Sequence, residues 1–171
     1  DVNCVLIPEV RFTLGGEKGL LRWLEKRLAD RRHAVIVVAE GAGQEYLASD
    51  DEKHDASGNI DLQDVGIYLK QRISEGLKSN GVEHTLKYID PSYIIRSAPA
   101  LPNDSLFCLT LAQNAVHAGM TGRTGMLVGL WHNLFTHVPT AEAVRGRKVI
   151  DPEGELWRSV LEVTGQPPAW K

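Results

Sequence analysis

Cysteine and methionine are scarce, with two of each among 171 residues. Cys4 lies in an apolar, strand-like run and Cys108 in an apolar, helix-like one, and no cluster of metal-ligand spacing surrounds either. This excludes a disulfide framework and a zinc module, and predicts two buried free thiols in a reducing, cytoplasmic compartment. A basic tract is missing as well. The net charge is −3 and the pI about 6.1, with lysines and arginines scattered, so nucleic acid is not an expected partner. No apolar run approaches the length of a bilayer span, and Asp1-Val2-Asn3 lacks the basic-then-apolar plan of a signal peptide, so no membrane partner is expected. An initiator methionine is lacking, and a strand begins almost at once; the chain is expected to be a fragment or processed piece. Internal repeats, low-complexity tracts and proline-rich linkers are absent too.

Apolar residues make up 43% and charged residues 24%, the balance of a chain that folds in water, and 171 residues predict one compact domain. Cys4-Val5-Leu6-Ile7, ended by Pro8-Glu9, reads as a strand buried on both faces, with Glu9 at its carboxyl end. In open α/β sheets that edge receives ligands. Leu20, Leu21, Trp23, Leu24 and Leu28 form a stripe predicting a helix over 17–31, with Glu17 early and Arg31 late as the helix dipole favours, and Trp23 in the core. The second apolar run, 34–39, completes a βαβ unit and hence a parallel sheet. Gly41 and Gly43 after it lack the third glycine of a dinucleotide fingerprint, so a tight turn is the better reading, with Glu40 and Gln44 as possible site-lining groups.

Residues 45–58 read as a polar surface loop, in which the neighbours His54 and Asp55 are not a catalytic pair. Helical spacing returns over 61–79, stopped by Asn80-Gly81, and a strand is predicted over 85–89. Pro102 to Met120 predicts a helix apolar around its circumference, buried between layers and capped by Asn103 or Asp104. Residues 124–130 and 135–138 predict a hairpin at one sheet edge, turning at His132-Asn133, and Glu153 to Val163 a terminal helix. His117, His132 and His137 read as packing or surface residues and not as bases or metal ligands. The class is α/β: a three-layer, Rossmann-like parallel sheet with flanking helices and an edge hairpin.

The stretch richest in chemistry is Lys87-Tyr88-Ile89-Asp90-Pro91-Ser92-Tyr93-Ile94-Ile95-Arg96-Ser97. A β-branched run stops at Asp-Pro, and a second apolar run presents a phenol and a guanidinium three residues apart. Arg96 offers a planar fork suited to phosphate or carboxylate oxygens, Lys87 a point charge, and Tyr93 a hydroxyl on a rigid body. A small hydroxylated anion would suit these donors. From spacing alone, a core Tyr93 and an Arg96 that merely partners a carboxylate are the commoner arrangement.

The run KYIDPSYIIRS resembles the sugar-phosphate segment of the 6-phosphofructokinases, in their long, plant- and trypanosomatid-like branch. Leu6-Ile7-Pro8-Glu9, Val37-Val38-Ala39-Glu40-Gly41-Ala42-Gly43-Gln44, His54-Asp55-Ala56-Ser57-Gly58-Asn59 and Thr121-Gly122-Arg123-Thr124-Gly125 carry the likeness onward in order. The resemblance implies a phosphofructokinase-type fold, in which Glu9 accepts hydrogen bonds from fructose hydroxyls, Tyr93 and Arg96 bind the fructose 6-phosphate region, and Lys87 reaches a phosphate across a subunit interface. The shorter bacterial enzymes carry a His for Tyr93 and an Arg for Lys87. The family's Gly-Gly-Asp-Gly donor motif, its nucleotide loop and the Thr-x-Asp-x-Asp general base do not occur in these residues. Residues 1–171 are therefore expected to be the C-terminal, acceptor-binding portion of a homo-oligomeric glycolytic enzyme, a dimer or tetramer, with no catalytic or metal residue of their own. ATP and Mg2+ are expected on the absent N-terminal portion, and the isolated segment is expected to be inactive. A non-catalytic sugar-phosphate module and a pyrophosphate-dependent enzyme are the alternatives.

Overall fold

The computed structural model describes residues 1–47 and 62–170. The surface loop predicted over 45–58, with His54, Asp55 and the His-Asp-Ala-Ser-Gly-Asn likeness, lies almost wholly outside the described residues, as does the predicted helix start at Asp61. Length predicts one domain, but the chain forms two compact units: Asp1–Ile89 with Val149–Lys171, and Asp90–Lys148.

In the first unit, strand β1 (Cys4–Leu6) pairs in parallel with β2 (Ile36–Val38), in register Cys4 with Ile36 and Leu6 with Val38. Helix α1 (Leu20–Arg31) connects them, so the βαβ reading holds. The helix starts with the apolar stripe at Leu20 and not at residue 17 as predicted: Gly19 flanks it, the first turn carries no acid, and Glu17 stands outside, whereas Arg31 does occupy the last turn. Asn3 lengthens the ladder, its Oδ1 accepting from the Val35 amide at 2.9 Å while its own amide donates to the Val35 carbonyl at 2.9 Å. Gln166 serves the other edge of β1: its Oε1 accepts from the Val5 amide at 2.7 Å and its Nε2 donates to the Val5 carbonyl at 3.0 Å. A side-chain amide thus stands in for a neighbouring strand, which is why this glutamine can be buried. β1 is largely buried as predicted, whereas β2 leaves Val37 45% exposed.

Helix α2 (Val65–Ser79) begins where Asp64 accepts a hydrogen bond from the Ile67 amide, and ends at Asn80 with Gly81 at φ 69°. Val65, Leu69, Ile73 and Leu77, one turn apart, are all buried; with Cys4, Leu6, Phe12, Leu20, Leu24 and Trp170 they form the core. Trp23 packs against this core, edge-on to Trp170 at 5.9 Å. Gly76 lets α1 approach, since a Cβ there would lie 2.7 Å from Leu21 Cδ1. The turn read at Gly41–Gly43 is present, Gly43 adopting φ 71° before a single 3-10 turn at Gln44–Tyr46. The last helix of the chain (Glu155–Thr164) buries Trp157 and packs on β1, whereas its Leu156 is 67% exposed.

No strand forms over 85–89. Residues 82–87 alternate between half-buried Val82, His84 and Leu86 and exposed Glu83, Thr85 and Lys87, but no backbone ladder accompanies the alternation among the described residues.

The second unit contains α3 (Ser92–Ser97), α4 (Pro102–Met120), an antiparallel hairpin of β3 (Met126–Trp131) and β4 (Leu134–Pro139), and α5 (Thr140–Ala143), a short helix the sequence did not suggest; the helix over Glu155–Thr164 is α6. The hairpin turns at His132 and Asn133, both with positive φ (46° and 62°), the two-residue geometry that matches strand twist. It forms its own two-stranded sheet, which corrects the reading of a hairpin joined to a larger sheet's edge. Helix α4 spans the predicted residues, but Pro102 opens it after Leu101 and neither Asn103 nor Asp104 caps it. Of its residues only Ala118 is buried; Leu106, Val116 and Met120 are 65%, 61% and 82% exposed, and Cys108 is exposed, contrary to the expectation of a buried helix and thiol. A helix apolar all round signals cover on several sides, and within this unit the hairpin supplies some of it, through Phe107 against Phe135 at 5.9 Å.

The two thiols should react very differently. Burial pushes the Cys4 thiol up to about 12, so it stays protonated and inaccessible, whereas Cys108 is open to solvent. Alkylation at pH 8 followed by mass spectrometry should modify Cys108 quickly and Cys4 only after denaturation. Because the folded value lies above the unfolded one, the associated stability is complete below about 9 and declines as pH rises from there towards 12. Leu77→Ala should cost about 2–5 kcal/mol in urea unfolding, since Leu77 is 2% exposed and its neighbours are fixed by two helices.

Candidate functional site

Glu9 stands just beyond β1, half-buried and held by a specific contact. Its Oε1 accepts a hydrogen bond from the Ile150 amide at 3.0 Å, in the segment by which the chain re-enters the first unit. Its Oε2 is buried and is the one buried side-chain oxygen or nitrogen among the described residues without a hydrogen-bond partner. A carboxylate oxygen kept from water is costly unless something donates to it. One oxygen is structural; the other is ready for a donor.

Lys87 is exposed on the extended segment of the same unit. Glu40 is exposed beyond β2. Gln44 is committed to structure, its Nε2 donating to the carbonyls of Glu40 and Gln63, each at 2.9 Å, and its Oε1 accepting from the Gln63 amide at 3.2 Å. It closes the turn and is not free to meet a ligand.

In the second unit, Asp90-Pro91 starts α3. The Asp90 carboxylate accepts from the Ser92 amide at 3.0 Å, and that backbone hydrogen bond, helped by the Ser92 hydroxyl and by Arg96, holds its pKa below the usual aspartate value. Three residues apart on a helix means one face, so Tyr93 and Arg96 are brought together, with the guanidinium carbon 5.9 Å from the ring centroid. Tyr93 is 81% exposed and Arg96 is exposed too, so Tyr93 is not a core aromatic in this structure. The pair presents a hydroxyl and a flat cation to solvent, a surface suited to an oxyanion. Of the histidines, His117 and His132 are exposed, and His137 accepts at Nδ1 from Arg123 at 2.8 Å. Among the described residues, no three His, Cys, Asp or Glu side chains stand together as a metal cage would require.

Sequence reasoning passed over Asp64, which accepts from the Tyr88 hydroxyl at 2.9 Å, and Ile150, whose amide donates to Glu9. Asp64 carried a readable signal, an aspartate directly before an apolar helical period; the Ile150 amide carried none.

No protein-family model matches the chain. Among curated proteins, it is 49% identical, along its whole length, to an ATP-dependent 6-phosphofructokinase of Borreliella burgdorferi, and 47% identical over 98% of its length to one of Amycolatopsis methanolica. ATP-dependent 6-phosphofructokinase 7 of Arabidopsis thaliana is 43% identical over 98% of the chain, and the ATP-dependent 6-phosphofructokinase of Trypanosoma brucei brucei 42% over 96%. Along essentially its whole length the chain is similar to ATP-dependent 6-phosphofructokinases. It spans between 34% and 40% of the length of these relatives. The plant and trypanosome relatives agree with the branch suggested by KYIDPSYIIRS.

Two substitutions test the local geometry. Glu9→Ala leaves the Ile150 amide without its acceptor and should cost about 1–3 kcal/mol in urea unfolding, while Glu9→Gln, whose amide oxygen can still accept, should cost less. Asp90→Ala should speed hydrogen exchange of the Ile95 amide in α3, and Asp90→Asn should do so less. Since the folded pKa of Asp90 is lowered, its contribution is present above the ordinary aspartate range and fades as pH falls through the depressed value.

Proposed function

We propose that this chain is the acceptor-binding, C-terminal portion of an ATP-dependent 6-phosphofructokinase, which transfers a phosphoryl group from ATP to the 1-hydroxyl of fructose 6-phosphate in glycolysis. The observation that carries the reading is identity of 40% or more to ATP-dependent phosphofructokinases along essentially the whole chain, joined to the unsatisfied buried oxygen of Glu9. In this reading Glu9 Oε2 accepts from a fructose hydroxyl, Tyr93 and Arg96 bind the phosphate end, and Lys87 meets a phosphate across a subunit interface of a homo-oligomer.

In-line phosphoryl transfer needs a base on the attacking hydroxyl, magnesium bridging the donor oxygens, and cations to spread developing charge. In this reading the described residues supply the cations and the acceptor's hydrogen-bonding partners. The Gly-Gly-Asp-Gly and Thr-x-Asp-x-Asp patterns do not occur in these residues. We assign the general base, ATP and Mg2+ to the remaining part of the polypeptide, and the exposed apolar surface of α4 to cover supplied there. The larger three-layer sheet and a cytoplasmic setting belong to the same proposal; some relatives are named chloroplastic, and no helix among the described residues is long and apolar enough to cross a membrane.

The complete polypeptide should phosphorylate fructose 6-phosphate with ATP and the 171-residue chain should not; turnover by the isolated chain would contradict the division of labour. In the complete polypeptide, Arg96→Ala should weaken fructose 6-phosphate binding by roughly 2–5 kcal/mol, measured by calorimetry. Unchanged affinity would remove Arg96 from the site. Pyrophosphate supplied in place of ATP decides between the two donor classes, and sugar-phosphate binding without turnover would favour a regulatory module.

A further inference from the structure

The extended segment 82–88 carries Lys87 but belongs to no sheet, so its path is set by other means. Successive contacts with α2 supply them. The Val82 amide donates to the Leu77 carbonyl at 2.9 Å; the His84 ring meets Ser74 Oγ at 3.1 Å and the Val82 carbonyl at 2.9 Å; and the Tyr88 hydroxyl donates to Asp64, 2.9 Å from Oδ1 and 3.1 Å from Oδ2. Partners at Leu77, Ser74 and Asp64 descend α2 towards its start as the segment advances. The segment is strapped along the helix.

Tyr88 closes the strap. Its acceptor, Asp64, also takes the Ile67 amide at 3.1 Å, so one carboxylate begins α2 and ends the segment. Its ring rests on Gly66, where an added Cβ would come within 2.3 Å of Tyr88 Cε2 and 2.8 Å of its oxygen. A hydroxyl clasp and a glycine seat fix the residue directly beside Lys87.

Lysine's charge sits on a flexible four-carbon stem, so the volume its ammonium samples depends on how firmly its backbone is held. We propose that Tyr88, clasped by Asp64 and seated on Gly66, is a positioning residue that presents Lys87 to a phosphate group. This rests on the reading of Lys87 as a phosphate contact. Tyr88 acts through Lys87, lowering the ordering cost Lys87 meets on binding. Its loss therefore shows in affinity and not in the chemical step.

The test is steady-state kinetics of the complete polypeptide with fructose 6-phosphate. Tyr88→Phe keeps the ring and loses the clasp; Asp64→Ser keeps a cap on α2 and loses the carboxylate. Each should raise KM about three- to tenfold while kcat stays within about twofold, the size of one hydrogen bond. Because Tyr88 acts through Lys87, Tyr88→Phe combined with Lys87→Ala should have the KM of Lys87→Ala alone, whereas independent roles would multiply the two effects. Multiplied effects, or an unmoved KM in Tyr88→Phe while Lys87→Ala raises it, would overturn the clasp and leave the Lys87 contact standing. If Lys87→Ala leaves KM unchanged, the phosphate contact and the clasp fall together.

Discussion

The first unit depends on β1 having partners along both edges. β2 supplies one ladder, and the side-chain amide of Gln166 supplies a two-bond imitation of another. The second contact spans almost the full chain, binding the turn after α6 to the first strand. Without it, Val5 would bury an unpaired donor and acceptor, each costing on the order of 1–3 kcal/mol. With it, β1 is fixed in depth, Cys4 and Leu6 enter the core, and Glu9 emerges where its Oε1 can hold the Ile150 amide. The geometry of the candidate acceptor carboxylate is thus inherited from a glutamine far away in sequence.

A second theme is acidic side chains that organise backbone near the points where the chain passes between its units. Asp64 and Tyr88 fix the approach to Asp90, Asp90 starts α3, and Glu9 holds Ile150 just after Lys148. These contacts lie within a unit, and each serves a residue that also bears on the proposed chemistry.

Local periodicity made much of this legible. The β1–α1–β2 unit, the 65–69–73–77 stripe, α4's limits and the His132-Asn133 hairpin follow from residues a few positions apart, where pattern and propensity act directly. What escaped was decided at long range. The side chains of 82–87 do alternate in burial, but a strand also requires a neighbour, and here a helix holds the segment instead. The buried reading of α4 and Cys108 assumed that an apolar helix finds cover among the described residues, and most of that cover is not there. For the candidate site, the residue types were legible in KYIDPSYIIRS, and the shared face of Tyr93 and Arg96 came with their spacing once the run proved helical. The attachment of Glu9 to a backbone amide was not, because an amide has no sequence identity.

The division of the first unit into two separated stretches bears on how the protein is made. Ribosomes deliver residues in order, and domains tend to condense once their last element has emerged. The stretch Asp90–Lys148 is complete before Trp157, Gln166 and Trp170 exist, so β1 must wait with one edge bare while an entire unit is translated behind it. Pairings so distant along the chain form slowly. In the nascent protein, the interval between Ile89 and Gln166 is when β1 is most exposed to mispairing and most in need of a chaperone.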